Sequence, residues 1–437
     1  MIHCDTLIRG GCIITMDPSF RILENHDLAV KDGKIMSFSP SGSMDFAARE
    51  TIDAADCLIT PGFINAHTHM PMTYFRGLAD DLPLDKWLQE YIWPLERKMV
   101  TPEFVYDASL HAAAEMLCHG ITLTNDMYFH IDRIADACIE AGIRVIVSEA
   151  VISHTFSGPL SAIRDGVRKI KDRYAGQALV DCALAPHAIY TCDRDILAEM
   201  VAIAAADNLM IHMHLSETKS EVENCLKEHK MLPVEYLKTL GFLEQRCIFA
   251  HGVWLSSQEL DLMQGTNCGI AVCTDSNLKL SSGFLPLKAI RERGVKAAMA
   301  SDGVASNNNL DILEELSTTA KLHKALNHDP EFLPARDAFA MLTIDAARAL
   351  GKDAEVGSLE PDKAADLCII STSDLQSQPL YNPYSHLVYA MSSHQIRDVM
   401  VAGKIVVNEY RPVFGDVAQL LDRASYWKEK IVSEIGL

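Results

Sequence analysis

From about residue 58 to about residue 350, short apolar runs alternate with amphipathic runs of helical period, and this alternation limits the fold more than any other feature of the sequence. Eight apolar runs are predicted to be strands, namely Leu58–Ala66, Ile121–Tyr128, Arg144–Ala150, Leu179–Ala185, Leu209–His214, Cys247–Ala250, Cys268–Cys273 and Lys296–Ser301. Helical runs separate them, including Pro102–Cys118, Ile131–Ala141 and Arg194–Ala206, and Leu310–Ala325 follows the last strand. Because the strands are apolar on both faces, as parallel strands under helices must be, we predict an α/β fold, a (β/α)8 TIM barrel. A doubly wound sheet is the alternative, but no GxGxxG motif follows any of these strands.

The two ends of the chain are rich in strand signals instead. Short apolar runs separated by turn residues fill the beginning of the chain, and Asp32-Gly33 between two such runs is typical of a hairpin. Strand signals return at Ala365–Ile370, Val399–Val401 and Lys404–Asn408. Neither end is large enough to form a good core alone. We therefore predict one composite β-sandwich from residues 1–60 and 355–437, beside a barrel domain of residues 61–354.

Composition and charge exclude several classes of protein. Of 437 residues, 39 are Lys or Arg and 59 are Asp or Glu, and the resulting net charge of −20 argues against nucleic acid or an anionic membrane as a partner. No apolar run reaches the ~18–20 residues of a membrane span, and the beginning MIHCDTLIRGG lacks the basic and apolar regions of a signal peptide. The 12 Cys lie mostly in apolar patterns without a CxxC pair, as reduced thiols do, so we expect a cytoplasmic protein.

Polar residues stand at the carboxyl ends of five predicted strands, where barrel active sites are built. In chain order these residues are His67, His69, His187, His212, His214, His251 and Asp302. Residues i and i+2 of an extended chain face the same side, so His67 and His69 can offer two imidazole nitrogens to one metal ion. His214 and Asp302 can supply further ligands, whereas the deeper position of His212 in its strand predicts a structural role.

Longer motifs around these residues resemble the amidohydrolase superfamily. They are PGFINAHTH at residues 61–69, HLSE at 214–217, His251-Gly252, SDGVASNN at 301–308 and the segment Gly357–Asp366. Within the superfamily, the sequence most resembles the deaminases of 5′-methylthioadenosine and S-adenosylhomocysteine. This closer likeness is carried by FRGLADD at 75–81, WLQ at 87–89, IWPLE at 92–96, DMYF at 126–129, Pro186-His187 and SNLKL at 276–280.

The resemblance implies one divalent metal bound by His67, His69, His214 and Asp302, with zinc expected and iron as the alternative. Relatives with two metals bridge them through a carboxylated lysine on strand 4, and Leu179–Ala185 holds no lysine, which favours a single metal. The metal would lower the pKa of a bound water. Glu217 would carry a proton from that water to a ring nitrogen, and His251 and Asp302 would orient the water and help to protonate the departing ammonia.

The expected substrate is a small nucleoside. By resemblance, Glu96 would accept hydrogen bonds from ribose hydroxyls, His187 would contact the substrate and Trp87 would flank it. Relatives that accept S-adenosylhomocysteine well use arginines near strand 3 for its carboxylate, but residues 148–158 contain no arginine, and Glu149 would repel a carboxylate. We therefore predict a preference for 5′-methylthioadenosine or related 5′-deoxy or free adenosines. The family also suggests a homo-oligomer.

Three alternatives remain open from the sequence. The enzyme alternative is a deaminase or aminohydrolase of another aromatic N-heterocycle, of triazine, guanine or cytosine type, because the metal ligands would be shared. A hydantoinase-type amide hydrolase fits less well without the strand 4 lysine. A barrel without catalysis, acting as a scaffold, would be expected to lose metal ligands, and none is missing here.

Overall fold

The structure, a computed structural model, describes residues 2–435, without the side chains of Asp85 and Ile435. The strands are β1 (Ile2–Ile14), β2 (Ile22–Lys31), β3 (Lys34–Pro40), β4 (Phe46–Asp53), β5 (Cys57–Pro61), β6 (Phe63–Thr68), β7 (Ile121–Tyr128), β8 (Arg144–Val151), β9 (Val180–Cys182), β10 (Ala185–Pro186), β11 (Ile211–Leu215), β12 (Cys247–His251), β13 (Cys268–Val272), β14 (Lys296–Met299), β15 (Leu367–Ser371), β16 (Ile396–Val401), β17 (Lys404–Asn408) and β18 (Arg411–Pro412).

The α-helices are α1 (Leu84–Lys86), α2 (Trp93–Met99), α3 (Pro102–Cys118), α4 (Ile131–Ala141), α5 (Ser161–Arg173), α6 (Arg194–Asp207), α7 (Lys219–His229), α8 (Pro233–Thr239), α9 (Ser257–Met263), α10 (Thr274–Lys279), α11 (Leu287–Glu292), α12 (Val304–Asn307), α13 (Ile312–Leu326), α14 (Ala335–Leu342), α15 (Ile344–Leu350), α16 (Pro383–Ser385) and α17 (Val417–Ile435). A π-helical turn, Trp87–Ile92, joins α1 to α2. None of the helices described is long and apolar enough to cross a membrane.

Parallel strands β6 to β14 close into a barrel, with β9 and β10 together in the place of one strand. Its two hydrogen-bonded sheets meet at Leu184, whose N–H donates to the carbonyl of Met210 at 2.9 Å. On the other side, the N–H of Asp302 donates to the carbonyl of His67 at 3.0 Å. The predicted (β/α)8 barrel is therefore confirmed, and the carboxyl ends of all its strands meet on one rim.

The two chain ends share one nine-stranded sheet, in which β5 and β15 pair antiparallel. The sheet also bends back on itself. Its strand β3 therefore reaches the segment before β15, where the N–H of Ile35 donates to the carbonyl of Lys363 at 2.9 Å. A separate apolar core lies between its faces, built on residues such as Ile13, Leu28 and Ile369. The prediction of a sandwich formed from both termini is confirmed.

Several element boundaries differ from the predicted ones. The predicted strand Leu58–Ala66 is two strands, β5 in the sandwich and β6 in the barrel, and the chain leaves one for the other at Gly62. A Cβ atom at Gly62 would lie 2.2 Å from Thr122, so the chain can pass only with glycine there. Strand β4 was not predicted. The domain boundaries stay a prediction, but α17, within the segment assigned to the sandwich, packs on α3 of the barrel through Trp427, whose Nε1 donates to Asp107 Oδ2 at 2.9 Å.

An ion pair links the barrel to the sandwich. Arg144, the first residue of β8, donates from Nε to Asp366 Oδ2 at 2.7 Å and from Nη2 to Oδ1 at 3.1 Å, and both side chains are buried. Asp366 also accepts the N–H of Ala402 at 2.7 Å. This two-bond geometry fixes the position of the sheet below the barrel.

Candidate metal centre and its pocket

Three histidines and one aspartate converge at the carboxyl end of the barrel. Because β6 is extended, His67 and His69 reach the same side of the chain, where the candidate ligand atoms of His67, His69 and His214 all lie within 4.8 Å of one another. The Nε2 atoms of His69 and His214 are 3.3 Å apart. Asp302, which follows β14, places Oδ1 3.3 Å from Nε2 of His67 and 3.4 Å from Nε2 of His69.

Hydrogen bonds orient the outer two imidazoles. Nδ1 of His69 donates to the carbonyl of Met127 at 2.5 Å, and Nδ1 of His214 donates to the carbonyl of His187 at 3.0 Å. These bonds place the proton on Nδ1 and leave the lone pair of Nε2 facing the centre, the arrangement typical of metal-ligating histidines. Burial lowers the pKa of His214 well below its ordinary value, so its ring is neutral, as a ligand must be.

The surroundings of His67 show whether this cluster suits a metal ion. Its Nδ1 lies 2.7 Å from Nε2 of His212, and Nδ1 of His212 lies 3.4 Å from the hydroxyl of Ser148. Nε2 of His67 is buried and lacks a hydrogen-bond partner among the described residues, because the approach of Asp302 does not have hydrogen-bond geometry. Burial also lowers the pKa of His67 to about 4. A neutral nitrogen without a partner, aimed at two imidazoles and a carboxylate, fits a divalent metal.

Asp302 is held as a carboxylate by its neighbours. Its Oδ2 accepts hydrogen bonds from the hydroxyls of Ser276 at 2.6 Å and Ser306 at 2.8 Å, and its Oδ1 accepts the N–H of Gly303 at 2.7 Å. Burial alone would raise the pKa of Asp302, but the contact with His67 and the nearby imidazoles hold it well below its ordinary value. Ser276 lies on α10, within the SNLKL motif that carried the resemblance, and its hydroxyl contacts this aspartate.

Glu217 and His251 stand beside the cluster. Nε2 of His251 lies 3.8 Å from Glu217 Oε2, and its Nδ1 lies 2.9 Å from Asn277 Oδ1. Glu221 fixes the strand end before Glu217, since its carboxylate accepts the N–H groups of Ser216 and Glu217, both at 2.9 Å. Burial alone would lower the pKa of His251, but the carboxylates of Glu217 and Asp302 raise it above its ordinary value. The two groups can therefore exchange protons with a ligand at the centre.

A second set of candidate ligands combines His67 and His251 with Cys273. Burial raises the pKa of Cys273 well above its ordinary value, which disfavours the thiolate that binds metals. Its thiol also faces the carbonyl of Ala271 at 3.7 Å. The cluster of His67, His69, His214 and Asp302 is therefore the better candidate metal site.

The cluster lies at a pocket of about 70 Å³. Its walls include the predicted residues Trp87, Glu96 and His187, together with Met72. Leu84, Trp87, Leu88 and Trp93 of the helical run over the barrel form the roof.

Glu96 and His187 both line the wall of this pocket. The hydroxyl of Tyr128 donates to Glu96 Oε1 at 2.7 Å, and burial raises the pKa of Glu96 to about 7, a shift that this hydrogen bond only partly offsets. Burial lowers the pKa of His187 to about 3, and its Nδ1 lies 3.0 Å from Thr191 Oγ1. Both are thus positioned by a neighbouring hydroxyl.

Eight of the nine predicted site residues line this one pocket, and the ninth, His67, is buried beside His69 and Asp302. The sequence predicted a structural role for His212 but not its contact with His67, and it did not single out the supporting residues Tyr128, Asn277 and Ser306. These last three lie in motifs that carried the resemblance, namely DMYF at 126–129, SNLKL at 276–280 and SDGVASNN at 301–308, but the motifs alone do not show which residue each of them contacts.

Comparison with known proteins agrees with this geometry. Residues 58–406 match the model of the amidohydrolase family. A 5-methylthioadenosine/S-adenosylhomocysteine deaminase of Thermodesulfovibrio yellowstonii is 43% identical, over 97% of this chain and 98% of that protein. A 5′-deoxyadenosine deaminase of Methanothermobacter thermautotrophicus is 41% identical, over 83% and 84% of the two chains. The crystal structure of an adenosine deaminase from Xanthomonas campestris with bound zinc superposes with a TM-score of 0.96, at 36% identity and 99% coverage of both chains. The chain belongs to the amidohydrolase family.

Proposed function

We propose that the protein is a hydrolytic deaminase of adenosine derivatives. Water adds to the ring carbon that carries the amino group, the amine leaves as ammonia and the inosine derivative remains. The observation that carries this proposal is the cluster of His67, His69, His214 and Asp302 beside a pocket that Glu217 and His251 also line. Relatives named as deaminases of such nucleosides, at 41 to 43% identity, support it.

We infer that His67, His69, His214 and Asp302 hold one divalent metal, zinc rather than iron. When bound, a divalent metal makes hydroxide available near neutral pH. Zinc is favoured by the ligand set of three imidazoles and a carboxylate and by the zinc in the similar crystal structure. The strand 4 position offers no lysine to bridge a second ion.

The chain's own groups move the protons. Glu217 takes a proton from the attacking water and donates it to the adjacent ring nitrogen, which makes the ring carbon electron-poor. His251, whose pKa is raised by the two carboxylates, and Asp302 orient the water and pass a proton to the leaving amine. Asn277 keeps the ring of His251 in place through the contact at Nδ1.

Glu96 selects a nucleoside over a free base by accepting hydrogen bonds from ribose hydroxyls. Tyr128 holds one of its oxygens, which leaves the other for the sugar. His187 contacts the substrate from the pocket wall, and Trp87 flanks it from the roof. Homo-oligomerisation and a cytoplasmic location stay predictions.

Among adenosines, we propose that 5′-methylthioadenosine is preferred over S-adenosylhomocysteine. Residues 148–158 offer no arginine for a substrate carboxylate, and they include Glu149, whose carboxylate accepts the N–H groups of His130 and Ile131 at 3.3 Å. The relatives' names include both nucleosides, so they do not decide between the two.

Steady-state kinetics on a panel tests this function. The panel contains 5′-methylthioadenosine, 5′-deoxyadenosine, adenosine, S-adenosylhomocysteine, free adenine, guanine, cytosine and a triazine. We expect the highest kcat/KM for 5′-methylthioadenosine, and Glu96→Gln should lower kcat/KM for nucleosides far more than for free bases. A higher kcat/KM for guanine, cytosine or the triazine would instead establish the alternative of another N-heterocycle aminohydrolase.

A further inference from the structure

A polar space adjoins the metal pocket between the roof and the beginning of helix α7, and we call it the α7 cleft. It has a volume of about 250 Å³, and its lining includes Leu88 and Gln89 of the roof and Thr218, Ser220 and Asn224 at or near the beginning of α7. Gln89, Ser220 and Asn224 are exposed, so the cleft reaches the solvent. A group that extends from the metal pocket into this cleft therefore meets polar side chains and water.

Glu217 stands between the metal pocket and the α7 cleft. It lines both spaces, as does Tyr190, whose ring centre lies 6.1 Å from that of His187. His251 and Asp302 line the metal pocket but not the cleft. The path from the metal centre to Glu217 therefore continues into the α7 cleft.

The atoms of a purine ring follow the same path. The ring carbon that carries the amino group is C6, its neighbour is the nitrogen N1, and N1 is followed by C2. In the proposed deamination, C6 lies at the metal centre beside His251, and N1 receives the proton of Glu217. The substituents of C6 and C2 project on either side of N1, so a group on C2 points to the side of Glu217 on which the α7 cleft lies.

The charge of the α7 cleft favours a hydrogen-bond donor as its guest. Glu217 and Glu221 line it, and no Lys, Arg or His is among the described residues of its wall. Glu221 already accepts the N–H groups of Ser216 and Glu217, both at 2.9 Å. After Glu217 has given its proton to N1, its two oxygens match two parallel donors, the N1–H and one N–H of an amino group on C2. Hydrogen bonds to a carboxylate are stronger than those between neutral groups.

We propose that the α7 cleft admits an amino group on C2 of the purine, so that 2,6-diaminopurine nucleosides are a second substrate class of this site. Water adds at C6, the C6 amino group leaves as ammonia, and the C2 amino group is retained, which yields the guanosine derivative. This inference rests on the proposed nucleoside deamination.

Binding of the deaminated products is the first test, because it does not depend on turnover. 5′-Methylthioguanosine and 5′-methylthioinosine differ only in the C2 amino group, and calorimetry on the zinc-loaded protein measures the Kd of each. The guanosine derivative should bind at least about tenfold more tightly, as expected for one added hydrogen bond to a carboxylate. Glu217→Gln should remove this advantage, because its amide offers one acceptor and one donor instead of two acceptors. Any smaller difference in the wild type would overturn the proposal.

The second test is a substrate series on the wild-type protein. It compares 5′-methylthioadenosine with its 2-amino and 2-methyl derivatives, whose added groups are similar in size. The kcat/KM of the 2-amino derivative should lie within about tenfold of that of the unsubstituted nucleoside, because the new hydrogen bond offsets the electron donation that makes C6 less reactive. The 2-methyl derivative, which has no donor for Glu217, should fall at least about tenfold below the 2-amino derivative.

The third test fills the cleft. Ser220→Trp places a large ring in the lining, and the ratio of kcat/KM for the 2-amino derivative to that for 5′-methylthioadenosine should fall at least about tenfold, because the C2 amino group and the ring compete for the same space. Glu228→Trp, at an exposed site of α7 outside the lining, should leave the ratio unchanged. If Ser220→Trp does not fold, product binding decides.

The outcomes separate this inference from the function on which it rests. Deamination of 5′-methylthioadenosine with a 2-amino derivative that falls more than about tenfold lower, or that is no better than the 2-methyl derivative, would overturn the assignment of the cleft and leave the deaminase intact. An unchanged ratio in folded Ser220→Trp would also overturn it. Ammonia release from none of these nucleosides would mean that the proposed function itself is wrong.

Discussion

The carboxylate of Asp302 lies against the imidazole of His67, with Oδ1 3.3 Å from Nε2, while the Asp302 N–H closes the barrel on the His67 carbonyl. The same two residues thus join the last strand of the barrel to the first and bring two candidate ligands together. Because Ser276 and Ser306 engage Oδ2, the other oxygen stays directed at the histidines.

Asp302→Asn should therefore abolish metal binding and activity together. The amide cannot serve as the anionic ligand, and its NH2 group would face the donors of Ser276 and Ser306 or the imidazoles. Metal content of the purified variant, measured by atomic emission, should fall at least about tenfold. The buried Asp398→Asn in the sandwich is the matched control and should keep its metal. Full metal content in Asp302→Asn would remove this residue from the ligand set.

His212 should act through His67 rather than on the substrate. Its Nε2 lies 2.7 Å from Nδ1 of His67, so it holds the orientation and tautomer of that ring. His212→Phe should weaken metal affinity about 10- to 100-fold. Competition with a chelator measures this, and excess metal should restore most of kcat. A purely structural histidine would instead lower thermal stability without changing the metal affinity of the folded protein.

Substrate binding should strengthen as the pH rises through neutrality. Burial raises the pKa of Glu96 to about 7, so below that pH the carboxyl is protonated and accepts hydrogen bonds from ribose poorly, and above it the carboxylate accepts them well. KM for 5′-methylthioadenosine should fall by up to about tenfold between about pH 5.5 and about pH 8.5. Glu96→Gln should flatten that dependence. Glu90→Gln, at an exposed site on the π-helical turn, should retain it.

The buried pair of Arg144 and Asp366 should be important for stability. Arg144→Met would leave the Asp366 carboxylate buried without its cation, and loss of one partner of a buried pair costs about 3–5 kcal/mol. Denaturant unfolding measures the free energy of unfolding. The exposed pair of Arg348 and Asp345 is the matched control, and Arg348→Met should cost less than ~1 kcal/mol. Equal losses in the two variants would show that the link between barrel and sandwich does not depend on this pair.

The barrel could be predicted because its signal is local. Apolar runs separated by amphipathic helices identify parallel strands, and the i, i+2 spacing of His67 and His69 follows directly from an extended chain. The division at Gly62 could not be read this way, because the residues on both sides are apolar. The break between β5 and β6 depends on the side chain of Thr122, which packs against Gly62, and on the carbonyl of Asp366, which accepts the Gly62 N–H. Both residues are distant from Gly62 in sequence.

The contacts of the supporting residues also could not be predicted from the sequence. His212 has the spacing of a second ligand pair with His214, yet its ring meets His67 instead, which depends on how two strands face each other across the barrel. The bond between Tyr128 and Glu96 likewise requires the helical run above the barrel to pass over the end of β7. A sequence pattern predicts which residues reach the rim, but not which of them touch.

Ammonia release from 5′-methylthioadenosine by the zinc-loaded protein is the most direct measurement of the proposed chemistry. We expect one ammonia for each inosine derivative formed, and a kcat that falls about 10²- to 10⁴-fold in Glu217→Gln while zinc is retained. The exposed Glu223→Gln on α7 should match the wild type. No ammonia from any adenosine derivative, or an undiminished kcat in Glu217→Gln, would contradict the proposed deamination at this site.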